Sequence, residues 1–234
     1  MRSARDWAAA RGIEYRFLDD SFFNRCPDWY RAKVQSNVLL MSDLARLMVA
    51  RELLDESFDR AIWIDADLLI FAPAAFDVQV TAGFAFCREL WVGPQGGKFV
   101  GWSRVNNAVC AFDRGHPFLD FYIDAAQRTV RQSMQTPDPL AVGTKFLTGL
   151  NEITPVPLIG GVGTLNPITM EHLSRGSLEP LREYRKKFAQ PIAAANLCWS
   201  FRGKSIQGVT MTDAIYQGAV DRLLGDAGRE ISGI

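Results

Sequence analysis

Cysteine and histidine are scarce in this 234-residue chain. Cys26, Cys87, Cys110 and Cys198 are widely scattered and form no Cys-x-x-Cys pair, and neither His116 nor His172 is spaced to join them. That pattern argues against a structural zinc site and against a disulfide framework, so reduced, mostly buried thiols in a cytoplasmic protein are expected. Neither sign of charge is in excess: 26 basic residues face 26 acidic ones. Bulk nucleic-acid binding and an acidic tail are therefore not expected. No apolar run is long enough to span a bilayer, so no transmembrane segment is expected. Met1-Arg2-Ser3-Ala4-Arg5-Asp6 lacks the apolar centre of a secretion signal. Internal repeats and low-complexity linkers are also missing. What is present is ample apolar material, 48% of residues, enough for a substantial core in one domain over 1–234.

Strand and helix patterns alternate along the chain. Residues 2–11 read as a short helix. Ile13-Glu14-Tyr15-Arg16-Phe17-Leu18 alternates apolar and polar residues and reads as a strand that Asp19-Asp20-Ser21 breaks. Residues 37–54 read as a helix, 61–64 as a strand, and Gly83–Cys87 as another. Residues 91–101 read as a Gly-rich loop between Trp91 and Trp102. Asn107–Phe112 reads as a strand, and Pro117 as the first helical position of a segment reaching about residue 132. After a loop over 134–143, a short helix starts near Gly143–Thr148. Residues 155–168 read as an irregular connection, 178–188 as a basic helix, Ile192–Leu197 as a last strand and 212–225 as a closing helix. This order implies a largely parallel, three-layer α/β domain.

The most informative stretch is Ala61-Ile62-Trp63-Ile64-Asp65-Ala66-Asp67-Leu68-Leu69-Ile70-Phe71. Ionised carboxylates in apolar surroundings are costly unless a cation or hydrogen-bond donors compensate them. Residues i and i+2 of an extended chain point to one side, so Asp65 and Asp67 suit one divalent metal at a strand end, where open α/β sheets bind ligands. Hard oxygen ligands favour Mn2+ or Mg2+, which also take oxygens of a substrate diphosphate. The plainer alternative is a solvated pair capping the next turn. A second cluster is Ser42-Asp43-Leu44-Ala45-Arg46, in which Asp43 and Arg46 share a helix face. The rest of that helix is largely apolar, so its polar face is expected to meet water, a partner or a ligand. Arg46 could pair with a diphosphate and Asp43 with sugar hydroxyls, or the two could form an ordinary intrahelical ion pair.

Together, Ser-Asp-x-x-Arg on a helix and apolar-Asp-x-Asp-apolar on a strand resemble the sugar-binding region of DXD-type glycosyltransferases of bacteria and fungi. The resemblance continues through Val105-Asn106-Asn107-Ala108-Val109 and Gly115-His116-Pro117-Phe118, and covers residues 1 to about 150 better than the rest. It implies the glycosyltransferase A-type fold: a single Rossmann-like three-layer α/β domain with a mostly parallel mixed sheet. Its donor-binding part would be about 1–112 and its acceptor-side part about 113–234. It implies hexosyl transfer from a nucleoside-diphosphate sugar, with a UDP-sugar favoured, to a hydroxyl of a glycan or other cell-surface carbohydrate. In such an enzyme Asp67 would be the main ligand of a manganese ion. Asp65 would contact sugar or ribose and share the metal. Asp43 and Arg46 would touch donor sugar and diphosphate, and Trp63 would stack near the nucleotide. Asn106 or Asn107 would line the sugar pocket, unless their role is turn chemistry at a strand start. His116 reads as a helix-start residue. The nearest relatives retain anomeric configuration.

Two departures stand out. The family usually opens with a base-binding strand ahead of the helix matching residues 2–11, and this chain starts at that helix, which implies that the first strand is lacking. Many relatives also place a late metal-binding His near a Trp. Here the matching stretch is Ala195-Asn196-Leu197-Cys198-Trp199-Ser200-Phe201-Arg202-Gly203-Lys204, where Asn196 could substitute through its amide oxygen. Arg202 and Lys204 either grip the diphosphate or are solvated surface bases. Residues 91–104, with Gly93, Gly96, Gly97, Trp91 and Trp102, are either an acceptor-binding lid or packing residues. Asp138 sits in a loop where an acceptor base could lie. Two other readings compete. In a haloacid-dehalogenase-like phosphohydrolase Asp65 would be nucleophile and Asp67 acid, but Leu69 stands where that family wants Thr or Val. In a degenerate, non-catalytic sugar-binding domain the missing strand and His would be the signature.

Overall fold

Helix α1 (Arg2–Ala10) buries Ala4, Trp7 and Ala8, the i, i+3, i+4 set of an amphipathic helix, and Trp7 Nε1 donates to Phe76 O at 3.0 Å. The computed structural model describes residues 2–35 and 37–233. The segment Ile13–Leu18, expected as a strand, joins no strand ladder among the described residues, and Phe17 is 60% exposed. Alternation gives such a segment two faces; only a neighbour with free N–H and C=O groups at the right spacing makes it a strand. A 3-10 turn at Asp20–Arg25 and α2 (Asp28–Lys33) lead to α3 (Val38–Asp55). The Asn37 carboxamide caps α3 by accepting from Leu39 and Leu40 N–H. This helix is buried on several sides, so its polar face does not meet bulk water: Asp43 and Arg46 are 7% and 5% exposed.

Next come β1 (Arg60–Ile64), β2 (Leu68–Ile70), β3 (Phe84–Gln95) and β4 (Lys98–Asp113). The Gly-rich loop expected over 91–101 is instead the tip of a long β3–β4 ribbon, paired out to Gln95 and Lys98. Gly96 and Gly97 have φ of +58° and +76°. Two successive positive φ values make the two-residue turn whose twist matches paired strands, which only glycine or a few polar residues adopt cheaply. Helices α4 (Phe118–Gln132) and α5 (Thr144–Ile153) follow. Pro117 stands one place before α4, and His116 Nδ1 accepts from Phe118 N–H.

The supposedly irregular stretch 155–168 carries β5 (Leu158–Ile159), β6 (Val162–Thr164) and the start of α6 (Pro167–Ser174). The basic helix shrinks to α7 (Arg182–Lys187); β7 (Ala194–Asn196), β8 (Ser205–Ile206), β9 (Val209–Thr210), α8 (Asp213–Leu224) and α9 (Asp226–Ser232) complete the chain.

The fold is α/β with mixed sheets. The first has order β1-β4-β3-β5 and the second β2-β7-β6, with a small β8-β9 pair. The expected parallel majority is not found among the described residues: β1–β4, β3–β4, β2–β7 and β8–β9 are antiparallel, and β3–β5 and β6–β7 parallel. The reason is the ribbon, which joins β3 to β4 by a tight turn where a parallel neighbour would need a crossover. Along β4, Cys110 and Phe112 face a core shared with α3 and α4, while Val109 and Ala111 face one shared with α1 and β2. A third core gathers Leu90 and Val92 of β3 with α6 and α8. The outer edge of β1 carries no strand among the described residues, and Ile62 and Ile64 line a cleft there. All four cysteines are free thiols; burial of Cys26 and Cys87 pushes them up to about 11 and about 12. No helix among the described residues is long and apolar enough to cross a membrane.

Candidate functional site

A cleft of about 1230 Å³ runs from the open edge of β1 to the inner face of the ribbon, and Asp43, Arg46, Asp65 and Asp67 all line it. At its centre the β3–β4 pairing slips. Phe86 is opposite Cys110, but Cys87 is opposite Asn106, so Asn107, Ala108 and Val109 bulge out of the ladder. Bulges re-aim side chains, and this one turns both asparagines to use. Asn106 Oδ1 accepts Ala108 N–H at 2.7 Å, and Val109 N–H donates to Cys87 Sγ at 3.3 Å. Asn107 Nδ2 donates to Asp43 Oδ1 at 2.9 Å.

Arg46 is the hub. Its Nε donates to Ser42 O at 3.1 Å, Nη1 to Asn107 O at 2.7 Å and Nη2 to Ser42 Oγ at 2.9 Å. It also pairs with Asp43 Oδ1 at 3.3 Å and Asp65 Oδ1 at 3.1 Å, and lies over the Trp63 ring. Burial opposes its charge, but Asp65 and Asp43 outweigh burial and raise its pKa. A guanidinium has five N–H donors. Here three hydrogen bonds go to Ser42 and Asn107 and the charge pairs with two carboxylates, so Arg46 holds Asp43 and Asp65 in place at the cleft wall. Trp63, expected to stack near a nucleotide, packs on Phe22 and donates from Nε1 to Asp65 Oδ1 at 2.6 Å.

The two central carboxylates differ. Burial pushes Asp65 up to about 6; Arg46 opposes the rise, and the charge of nearby Asp67 adds to it. Both contacts to Asp65 named above go to Oδ1, and no hydrogen bond reaches Oδ2 among the described residues. Asp67 sits past the strand end, where Oδ1 accepts Asn196 Nδ2–H at 2.9 Å and Oδ2 accepts Trp199 N–H at 2.7 Å. Asn196 therefore meets Asp67 through its amide nitrogen, and its oxygen accepts Cys198 N–H at 2.9 Å. Asp43 is raised by burial against the pull of Arg46 and Asn107.

Two expected residues are not brought in. Arg202 pairs with Asp213 at 2.6 Å on the surface and lies over Trp199, and neither Arg202 nor Lys204 lines the cleft. Asp138 does line it, but is held by Lys145 at 2.7 Å, with Leu140 N–H also donating to it; Lys145 lowers its pKa. Sequence reasoning missed Glu89, which is 6% exposed and lines the same cleft with Trp91 and Arg104. The signal was available: like Asp65, Glu89 interrupts an apolar strand, Phe84-Ala85-Phe86-Cys87-Arg88-Glu89-Leu90-Trp91-Val92.

Among the described residues, no group of three or more His, Cys, Asp and Glu side chains gathers as a complete metal cage. The site offers two carboxylates with one oxygen uncommitted. That suits a hexa-aqua-type cation that keeps its waters and takes substrate phosphates as further ligands. No protein-family model matches the chain, and no curated protein or solved structure matches it.

Proposed function

We propose that this protein is a metal-dependent glycosyltransferase that moves a sugar from a nucleoside-diphosphate sugar, with UDP favoured, to a hydroxyl of a carbohydrate acceptor. The observation that carries the reading is the pairing of Asp65 and Asp67 at the wall of one large cleft, with Arg46 fixed behind Asp65. A lone buried acid would be a packing accident with a compensating base. Two adjacent acids, one of them raised by burial and further by the charge of the other, form a site whose electrostatics improve when a divalent cation enters.

Asp67, with Asp65 Oδ2, would hold Mn2+ or Mg2+. When bound, such an ion offsets charge developing on a departing diphosphate. The protein groups have separate tasks. Arg46 keeps Asp65 ionised and aimed. Asn107 orients Asp43, which faces the donor sugar. Asn196 and Trp199 N–H fix the Asp67 rotamer, so little reorganisation is needed when charge moves.

The test is calorimetry with Mn2+ plus UDP, followed by Mn2+-dependent hydrolysis of UDP-glucose, UDP-galactose and UDP-N-acetylglucosamine. Heat and hydrolysis lost together in Asp67→Ala support the transferase. Turnover of simple phosphate esters with no nucleotide-sugar hydrolysis supports a phosphohydrolase instead. Heat without turnover supports a non-catalytic sugar-nucleotide binding domain, and no heat ends the proposal.

A further inference from the structure

The donor chemistry assigned above leaves Glu89 unused. Its strand neighbours define a small grid. In the antiparallel ribbon Glu89 is opposite Arg104 and Trp91 opposite Trp102, so these residues share one face with Asn106, and Glu89, Trp91, Arg104 and Asn106 all line the cleft. Glu89 is deeply buried, and an ionised carboxylate there is costly without full compensation. Compensation is incomplete. Oε2 accepts Asn106 Nδ2–H at 2.7 Å, but among the described residues the only cation near Oε1 is Arg104, at 3.6 Å, which is too long for a hydrogen bond. Arg104 leans over the Trp91 ring.

Glu89 is also wired to the metal-side acid. Asn106 Nδ2 donates to Glu89, Asn106 Oδ1 accepts Ala108 N–H at 2.7 Å, and Ala108 O accepts Asp65 N–H at 2.8 Å. Three successive hydrogen bonds therefore place Glu89 across the bulge from Asp65. One bulge sets the position of both acids.

We infer that the inner face of the ribbon is the acceptor subsite, which takes a sugar whose reacting hydroxyl donates to Glu89 Oε1 and whose ring lies against Trp91. This rests on the transferase reading and deepens it. Residues i and i+2 of a strand are roughly 7 Å apart, about the span of one pyranose ring. An aromatic surface for the C–H face at one end and a carboxylate for a hydroxyl at the other is what a neutral sugar needs. The ribbon is paired along its length, so it serves as a fixed wall and not as a lid.

The test compares two reactions of the full chain with Mn2+ and a UDP-sugar. One is donor hydrolysis, with water as acceptor. The other is transfer to methyl glycosides of glucose, galactose and mannose. Glu89→Gln and Trp91→Leu should each lower the ratio of transfer to hydrolysis about tenfold or more, with Trp91→Leu acting mainly on acceptor KM. A ratio unchanged in both variants overturns the subsite. So does a wild type that hydrolyses donor but transfers to none of the glycosides. If either variant folds poorly, saturation-transfer NMR of the methyl glycosides on the wild type decides: contact with the Trp91 ring protons supports the subsite and its absence overturns it. A wild type with no Mn2+–UDP heat fails earlier, at the transferase reading itself.

Discussion

Arg46 Nη1 stands 3.1 Å from Asp65 Oδ1 and ties the middle of α3 to the end of β1. The same guanidinium reaches Asn107 O on β4, so one buried cation joins three elements. Removing a partner from such a pair leaves an uncompensated buried charge, which costs more than the pair itself contributes.

Arg46→Met should therefore destabilise the protein by about 3–5 kcal/mol in urea unfolding. The double variant Arg46→Met, Asp65→Asn should lose less than the sum of the two single changes, because it no longer strands Asp65. Full additivity in this cycle would show that the contact is unimportant.

Asp65 makes stability and metal binding pH-dependent in opposite senses. Its pKa in the folded protein is raised from 3.8 to about 6, so the folded state binds the extra proton within that window. Stability is then lost as pH rises from about 4 to about 6, by on the order of 2 kcal/mol from this residue. Asp65→Asn should flatten that slope in urea melts taken from pH 4.5 to 8. Mn2+ must displace the proton, so its affinity for the wild type should rise with pH up to about 6 and level off above, as read by calorimetry.

Gly143, just before α5, has no room for a side chain: a Cβ there would lie 2.5 Å from Asp43 Oδ2. Gly143→Ala should push Asp43 off Asn107, weaken donor binding and cost about 1–3 kcal/mol. Gly149, inside α5, meets nothing within 4 Å. Gly149→Ala should leave binding intact and stabilise by about 1 kcal/mol. Thermal melts and UDP calorimetry on both variants separate a packing effect at Asp43 from a general effect of α5.

Arg202 and Lys204 should be dispensable for the donor. Arg202 forms a surface pair with Asp213, and exposed pairs contribute little. Donor KM in Arg202→Ala and Lys204→Ala should stay within about twofold of the wild type, and a tenfold rise would place these bases back in the site.

Several elements were legible because local chemistry sets them. The apolar run after residue 37 marks α3, and Pro117 marks the start of α4 within one residue. The acidic pair at the end of β1 was also visible, because charge inside an apolar strand is anomalous wherever it occurs. Glu89 carries the same anomaly, but Gly93, Gly96 and Gly97 give the stretch just after it the composition of a loop. Gly96-Gly97 was in fact a hairpin signal. Ile13–Leu18 failed in the reverse direction, with a good alternating pattern and no neighbour to pair with.

By itself, then, the sequence determined where α3, β1 and α4 lie and that Asp65 and Asp67 fall together after β1. Tertiary structure alone decided whom each polar group meets: Arg46 is set between Asp43, Asp65 and Asn107, Arg202 is turned to Asp213, and Glu89 is brought through Asn106 to within three hydrogen bonds of Asp65. The division has a physical cause. Capping and periodicity act within a few residues along the chain, whereas a strand's register and its bulges are set by partners far away in sequence, and a one-residue shift of register exchanges every side chain between the two faces.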